Sequence, residues 1–347
     1  MNVKQRLGIF AALVTIPLYI TGCSVQRENI PQEYSTGLFA MGTYMELSAY
    51  GDHAESALDK AADRITELEA LWSTTDKNSE IYALNHSGGK PVSLSSETAQ
   101  LLHFILDISQ QTGGALDPTI YPLVNAWGFI GHEYRIPSEE EIRELLQLTG
   151  YQKINLAANT VTLPDGMQLD LGAAGKGYAG ELLANLLKEQ NITSALLDIG
   201  GNIQLVGRKP DGTKWRIGVK NPFGEGSFGI LEAEDCAVVT SGGYERYFTD
   251  EDGNVYWHIL DPATGYPADS GLASVTIIAE DGGLGDALST AIFVMGLDEG
   301  AAYWRSRGGF EMVLMAQDGT IYLTEGIEDS FTLDDASSDR EVCVIRR

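Results

Sequence analysis

Cysteine, histidine and positive charge are all scarce in this chain. Three cysteines and five histidines serve 347 residues, and 23 lysines and arginines face 49 aspartates and glutamates. Cys236 and Cys343, the two cysteines outside the N-terminal region, are too few for a disulfide framework, and Cys236, in the apolar-leaning run CAVVT, reads as a buried thiol. There is no HExxH, no cysteine metal cluster and no Gly-x-Ser-x-Gly elbow, so zinc-enzyme and serine-hydrolase chemistry lack support. A net charge of -26 repels nucleic acid and anionic lipid alike. Any phosphate-bearing ligand must then be met by local cations, a metal or backbone N–H groups. Between Thr36 and Leu333 there is also no long linker, low-complexity stretch or obvious repeat.

The N-terminal apolar run, Leu7 to Ile20, is too short to span a bilayer comfortably. With Lys4 and Arg6 ahead of it, it has the layout of a secretory signal. It closes on Ile20-Thr21-Gly22-Cys23, which resembles a bacterial lipobox, where cleavage frees the Cys23 amine and the thiol takes a diacylglyceryl chain. The expectation is a signal peptide over 1–22, a lipidated Cys23, a polar tether over 23–35 and an extracytoplasmic protein anchored to the membrane without crossing it. Losing Lys4 and Arg6 takes the net charge from -26 to -28.

Apolar residues at three- and four-residue spacing predict helices over His53–Trp72 and Ser95–Gln111, and a Ser-x-x-Glu capping box (Ser138, Glu141) opens a third, to Leu148. Tyr178–Gln190 and Ala287–Met295 are further helices. Strand patterns fall at Met45–Tyr50, Ser194–Ile199, Ile203–Val206, Trp215–Val219, Val238–Ser241, Ser274–Ala279 and Glu311–Ala316, many of them bounded by Gly or Asp-Gly turns. Hairpin-like pairs mixed with isolated helices favour an α+β fold over a doubly wound parallel sheet. A main domain over 36–333 is long enough for two lobes or one elaborated core, and 334–347 reads as an acidic, mobile tail.

The chemistry concentrates between Tyr256 and Thr290. Asp286 and Thr290 lie four apart at the start of the expected helix DALSTAIFVMG and share one face, a hard-oxygen pair suited to magnesium; alternatively Asp286 caps that helix and Thr290 packs. His258 precedes a rigid Asp261-Pro262-Ala263-Thr264-Gly265 turn and is either an acid/base group or a packed histidine. In LDLGAAGKGYAGE, Asp170 and Lys176 stand among closely spaced glycines; this is neither a P-loop nor GxGxxG, and it reads as a ligand-approaching backbone or a tight turn. The Ile199-Gly200-Gly201-Asn202 and Ser241-Gly242-Gly243-Tyr244 stretches read as bulges or hairpin turns. Residues 112–129, rich in Gly, Pro and aromatics, suit a binding loop or a connector.

In order along the chain, MGTYMELSAYG, TDKNSEIYALN, GGALDPTIYPLVNAWGF, LDLGAAGKGYAGE, LLDIGGNIQLVG, SGGYERYF, WHILDPATGYP and DALSTA resemble the ApbE-type FAD:protein FMN transferases, over about residues 38 to 325. The resemblance implies an ApbE-like α+β fold, mixed sheets with flanking helices in two closely packed lobes. It implies a magnesium-dependent reaction in which FAD is split at its pyrophosphate, AMP leaves, and FMN is esterified to a threonine or serine of an acceptor flavoprotein. By motif position it also implies magnesium ligands at Asp286, Thr290 and the Ala173 carbonyl with Ser289 adjacent. Flavin contacts fall at Met41, Thr75, Ala115, Leu116, Asp117, Asp170, Lys176 and Leu260, and a catalytic histidine at His258. Two departures bear on flavin affinity: Thr75 stands where relatives often carry an aromatic residue, and the loop reads GAAGKG instead of having Ile-Ala before lysine. The implied acceptors are membrane electron-transfer subunits with FMN-binding domains. A flavin-binding lipoprotein, an FAD hydrolase and a solute-binding lipoprotein of an importer are the competing readings, separated by whether FMN ends on an acceptor, free beside AMP, or still within FAD.

Overall fold

Met41 and Gly42, both at positive φ (50° and 72°), close the first hairpin in the computed structural model, which describes Pro31–Arg347. Positive φ at both central residues is what a two-residue turn needs to match strand twist, and Ala40 pairs directly with Thr43. Lys4, Arg6 and Cys23 lie outside the described residues.

The hairpin begins a nine-stranded sheet whose spatial order follows the chain: Glu33–Ala40, Thr43–Tyr50, Ser194–Ile199, Asn202–Gly207, Ala237–Gly242, Leu272–Ala279, Phe310–Ala316, Ile321–Thr324 and Val342–Ile345. All neighbours are antiparallel except the last pair. The middle strands are covered on both faces, which explains their near-continuous apolar runs. Along Phe310–Ala316, Phe310, Met312 and Leu314 join the core beneath the helices, while Val313 and Met315 join a second core on the opposite face. That second core is closed by a three-stranded sheet of Trp215–Lys220, Ser227–Ala233 and Phe331–Leu333.

Helices Ala54–Trp72 and Gly175–Glu189 bury Leu58, Ile65, Leu183 and Leu187 against the first three strands. Helix Gly282–Arg307 lies over the strands from Ala237 to Ala316. Each fully buried Leu, Ile or Phe contributes about 1.5–3 kcal/mol. A smaller cluster of Leu123, Trp127, Phe129, Ile142 and Leu260 ties helix Glu139–Leu146 to the segment after His258. Pro31–Arg347 forms one compact unit, so the expected lobes share the large sheet.

The α+β class and every expected strand are present, with four differences. The sheet starts at Glu33, inside the expected tether, because Tyr34 and Leu38 pack on the core that holds Leu58 and Leu183. The expected tail is built in: Val342–Ile345 pairs in parallel with Ile321–Thr324, and Ser227 bonds to Asp334. Acidic composition hid the short VCVI strand. Only half of the capping box forms, since Ser138 accepts from the Glu141 N–H at 3.2 Å while the Glu141 carboxylate turns to Arg135. The last helix runs from Gly282 to Arg307 instead of Ala287–Met295, with non-helical backbone at Gly296. Among the described residues no helix is long and apolar enough to cross a membrane.

Candidate active site

Glycine lets two helices meet backbone to backbone at the heart of the site. A Cβ on Gly177 would stand 2.1 Å from the Gly282 carbonyl oxygen, and one on Gly282 would stand 2.4 Å from the Gly177 carbonyl oxygen. Gly177 of GAAGKGYAGE and Gly282 of GGLGD therefore serve this crossing. It also decides what Asp286 does. Asp281 caps its own helix, accepting from the Leu284 N–H at 2.8 Å, so Asp286 is free of that task. Asp286, only 5% exposed, reaches across and accepts from the Gly177 N–H at 2.8 Å, near the start of helix Gly175–Glu189. Its other oxygen, Oδ1, has no hydrogen bond and the carboxylate no cationic partner among the described residues.

Beside it lies a group of hydroxyls. Ser289 Oγ donates to the Asp286 carbonyl at 2.8 Å, and Ser241 Oγ lies 2.7 Å from Ser289 Oγ and 3.2 Å from Thr290 Oγ1. With the Ser289 proton committed to the carbonyl, Ser241 donates to Ser289 and Thr290 donates to Ser241, leaving the Thr290 lone pairs open. The Ala173 carbonyl, just ahead of helix Gly175–Glu189, takes no hydrogen bond among the described residues. A nearly buried carboxylate with a spare oxygen and an open hydroxyl one helical turn on form a hard-oxygen pair, and the Ala173 carbonyl is left free ahead of the neighbouring helix start. The pair fits magnesium, which keeps few protein ligands. Among the described residues no group of three or more His, Cys, Asp and Glu could hold a metal, so softer or carboxylate-rich sites are unsupported there.

His258 follows strand Val255–Trp257 and is half-buried. The Arg246 carbonyl accepts from its backbone N–H at 3.1 Å and lies 3.2 Å from Nδ1. A carbonyl only accepts, so Nδ1 carries the proton and Nε2 presents a lone pair. Burial, then the nearby Arg246 and Lys176 charges, push the imidazole down to about 4, so it is neutral at neutral pH. Beyond it the Asp261 turn is laced by bonds from Gly265 N–H to the Asp261 carbonyl and from Ala263 N–H to Asp261 Oδ1, at 2.8 and 2.9 Å. Trp127 Nε1 holds the Gly265 carbonyl at 2.9 Å, which fixes the chain after His258.

The other candidates divide. The Asp170 carboxyl is pushed up by burial, against the pull of the Gly172 N–H, Lys176 and Arg246, so it shares an electrostatic environment with His258. The Asp170 N–H bonds to the Pro118 carbonyl at 2.8 Å, which joins the Ala115–Leu116–Asp117 run to it. The Asp117 carboxylate is consumed by Thr119 and the Tyr151 N–H, leaving backbone as the group this run can offer a ligand. The Met41 N–H donates to Glu69 Oε1 at 2.7 Å. Leu260 is buried in the Trp127 cluster, and Thr75 is exposed, held only to Ser73. A cavity of about 250 Å³ between Asn85–Gly89 and Pro164–Gln168 contains none of these residues. Ser241, Asp281 and Arg246 are the additions the structure makes; the Ser-Gly-Gly-Tyr-Glu-Arg stretch was the signal for two of them.

The ApbE family profile matches residues 41–314. A Klebsiella pneumoniae protein named FAD:protein FMN transferase is 34% identical over 84% of this chain and 92% of its own length. One of the same name from Treponema pallidum is 32% identical over 96% and 97%. Among solved structures, the ApbE protein of Thermotoga maritima superposes with a TM-score of 0.81 at 34% identity, over 86% of this chain and 99% of that one. The flavin transferase ApbE of Vibrio cholerae superposes at 0.79 and 28% identity, with the same coverage. The motif order, the sheet and these alignments agree across nearly the whole described chain, which belongs to the ApbE family.

Proposed function

We propose that this protein is an FAD:protein FMN transferase that cleaves the FAD pyrophosphate, attaches FMN through a phosphoester to a threonine or serine of an acceptor flavoprotein, and releases AMP. The observation that carries this reading is His258: its tautomer is fixed with Nε2 free, and Lys176 and Arg246 lie close enough to depress its pKa. In the transfer step the acceptor hydroxyl gives its proton to Nε2 as its oxygen bonds to the FMN phosphorus. The phosphoanhydride bond breaks, and AMP leaves with the electron pair. Arrival of the pyrophosphate offsets the two cations, which raises the basicity of the imidazole as it is needed. Asp170 and Lys176, Met41 and the backbone of Ala115–Leu116–Asp117 orient the flavin, with Leu260 and Thr75 at its margins.

Asp286, Thr290 and the Ala173 carbonyl would hold magnesium, with Ser289 supporting them, and the ion would supply charge neutralisation on the pyrophosphate. The test is an assay with FAD, magnesium and an acceptor carrying an FMN-binding domain. Acceptor mass rising by one FMN with matching AMP supports transfer; free FMN with AMP marks a hydrolase, and intact FAD a flavin-binding protein.

The signal-like segment and Cys23 support a lipid-anchored, extracytoplasmic enzyme whose acceptors are membrane electron-transfer subunits. Cys23→Ala should shift the chain out of the membrane fraction, since stable anchoring needs more than one acyl chain. Unchanged fractionation of a cleaved Cys23→Ala chain contradicts the anchor.

A further inference from the structure

Arg246 holds His258 through its carbonyl and lowers its pKa through its charge. It lies between strands Ala237–Gly242 and Tyr247–Thr249, and its side chain is exposed, with no ion pair or hydrogen bond among the described residues. Arg64, Arg135, Arg208 and Arg346 each meet a carboxylate. The Arg246 guanidinium points elsewhere: a Cβ on Gly42 would lie 3.9 Å from one of its nitrogens. One residue thus links the Met41–Gly42 turn to His258, with its main chain on the imidazole and its side chain over the turn.

Lys176 likewise lacks a carboxylate within ion-pair distance among the described residues. Both cations act on the same two groups, Asp170 and His258. The Glu69 and Asp286 carboxylates nearby are turned to the Met41 and Gly177 N–H groups, so neither pairs with these cations in a chain whose net charge is -26. A planar guanidinium there matches phosphate oxygens in a way a point charge cannot.

We propose that Arg246 is a substrate-binding residue whose guanidinium grips the FAD pyrophosphate between the Met41–Gly42 turn and His258. The assignment rests on the transferase reading above and adds a residue to it. Pyrophosphate is favoured over an acidic group of the acceptor because the phosphorus under attack must lie beside His258 Nε2, and Arg246 holds that ring. Its backbone anchors the base while its side chain holds the anion, so the two are positioned by one residue.

The test uses the full chain with Arg246→Gln and Arg246→Lys, and two probes, FAD and riboflavin, which share the ring system but differ in phosphate. Binding is followed by flavin fluorescence at fixed magnesium, with folding checked by thermal melting. Arg246→Gln should weaken FAD by about 10- to 100-fold, the loss of charge-assisted hydrogen bonds, and leave riboflavin unchanged. Arg246→Lys should keep a larger share of the FAD affinity, and the KM for FAD should rise more than the KM for acceptor. Unchanged FAD affinity overturns the assignment. So does equal loss of FAD and riboflavin, which points to a structural role, or a rise confined to the acceptor KM. A wild-type chain that shows the FAD-specific dependence on Arg246 yet transfers no FMN supports the clamp and removes the transferase reading instead.

Discussion

His258 must accept a proton while surrounded by positive charge, and this makes the pH dependence of catalysis specific. Its pKa is depressed to about 4, so the ring is a neutral base above that value and is lost as pH falls through it. The profile of kcat/KM, which reports the free enzyme, should stay level from neutral pH to well below 6.5 before falling. An acid limb centred above 6.5 contradicts the desolvated, cation-flanked placement. His258→Ala should lower transfer by about 10²–10⁴-fold while FAD still binds. Asp286→Asn keeps size but removes charge, so magnesium affinity should fall and raised magnesium should partly restore the rate; full activity at low magnesium contradicts the site. At this scale the sequence singled out Asp286, Thr290 and His258 as candidates and left a helix cap and a packed histidine as the alternatives. It marked the Ser241–Arg246 stretch but gave neither end a role, because an arginine in a turn and a serine at a strand end announce nothing until another segment comes beside them. The reading of Asp286 as a possible cap of its own helix failed because the helix starts at Gly282, with Asp281 as its cap.

The element that organises the site is the crossing of helices Gly175–Glu189 and Gly282–Arg307. Gly177→Ala would drive a Cβ into the Gly282 carbonyl, so it should cost about 1–3 kcal/mol and disturb the Asp286 bond to Gly177. Melting and magnesium affinity should drop together; an unchanged melt shows the crossing can open without cost. The same pair of helices buries a carboxyl. Glu181 is pushed up to about 7, chiefly by burial and then by the neighbouring Asp281 carboxyl, while Glu181 Oε2 is buried without a partner. A carboxyl with a raised folded pKa contributes stability below its unfolded value that is lost as pH rises through the folded one. Glu181→Gln should therefore melt higher than wild type at pH 8, by roughly 2 °C, and match it near pH 5. A larger gain at pH 5 than at pH 8 contradicts the protonated pair. Helix periodicity gave the bodies of both helices but not their starts, because glycine-rich first turns look like loops until the close packing that requires them is seen.

At the scale of the molecule, strands covered on both faces were legible as apolar runs, whereas edges were not. Glu33–Ser35, the start of the first edge strand, looked like the end of a tether and Val342–Ile345 like a tail, since an edge strand buries little. The sheet delivers segments distant in sequence to one place: the Met41 turn, the Asp170–Gly177 loop and helix start, Ser241, and the hairpin that carries His258. Lys176 and Arg246 put positive charge at that place, so added salt should weaken FAD binding more than riboflavin binding. The most direct measurement combines the purified full chain, FAD, magnesium and an FMN-domain acceptor, and follows acceptor mass and AMP together. Acceptor gaining one FMN in step with AMP, abolished by His258→Ala and by Asp286→Asn at low magnesium, is the expected result. AMP and free FMN with no gain in acceptor mass, or a His258→Ala chain that transfers as wild type, contradicts it.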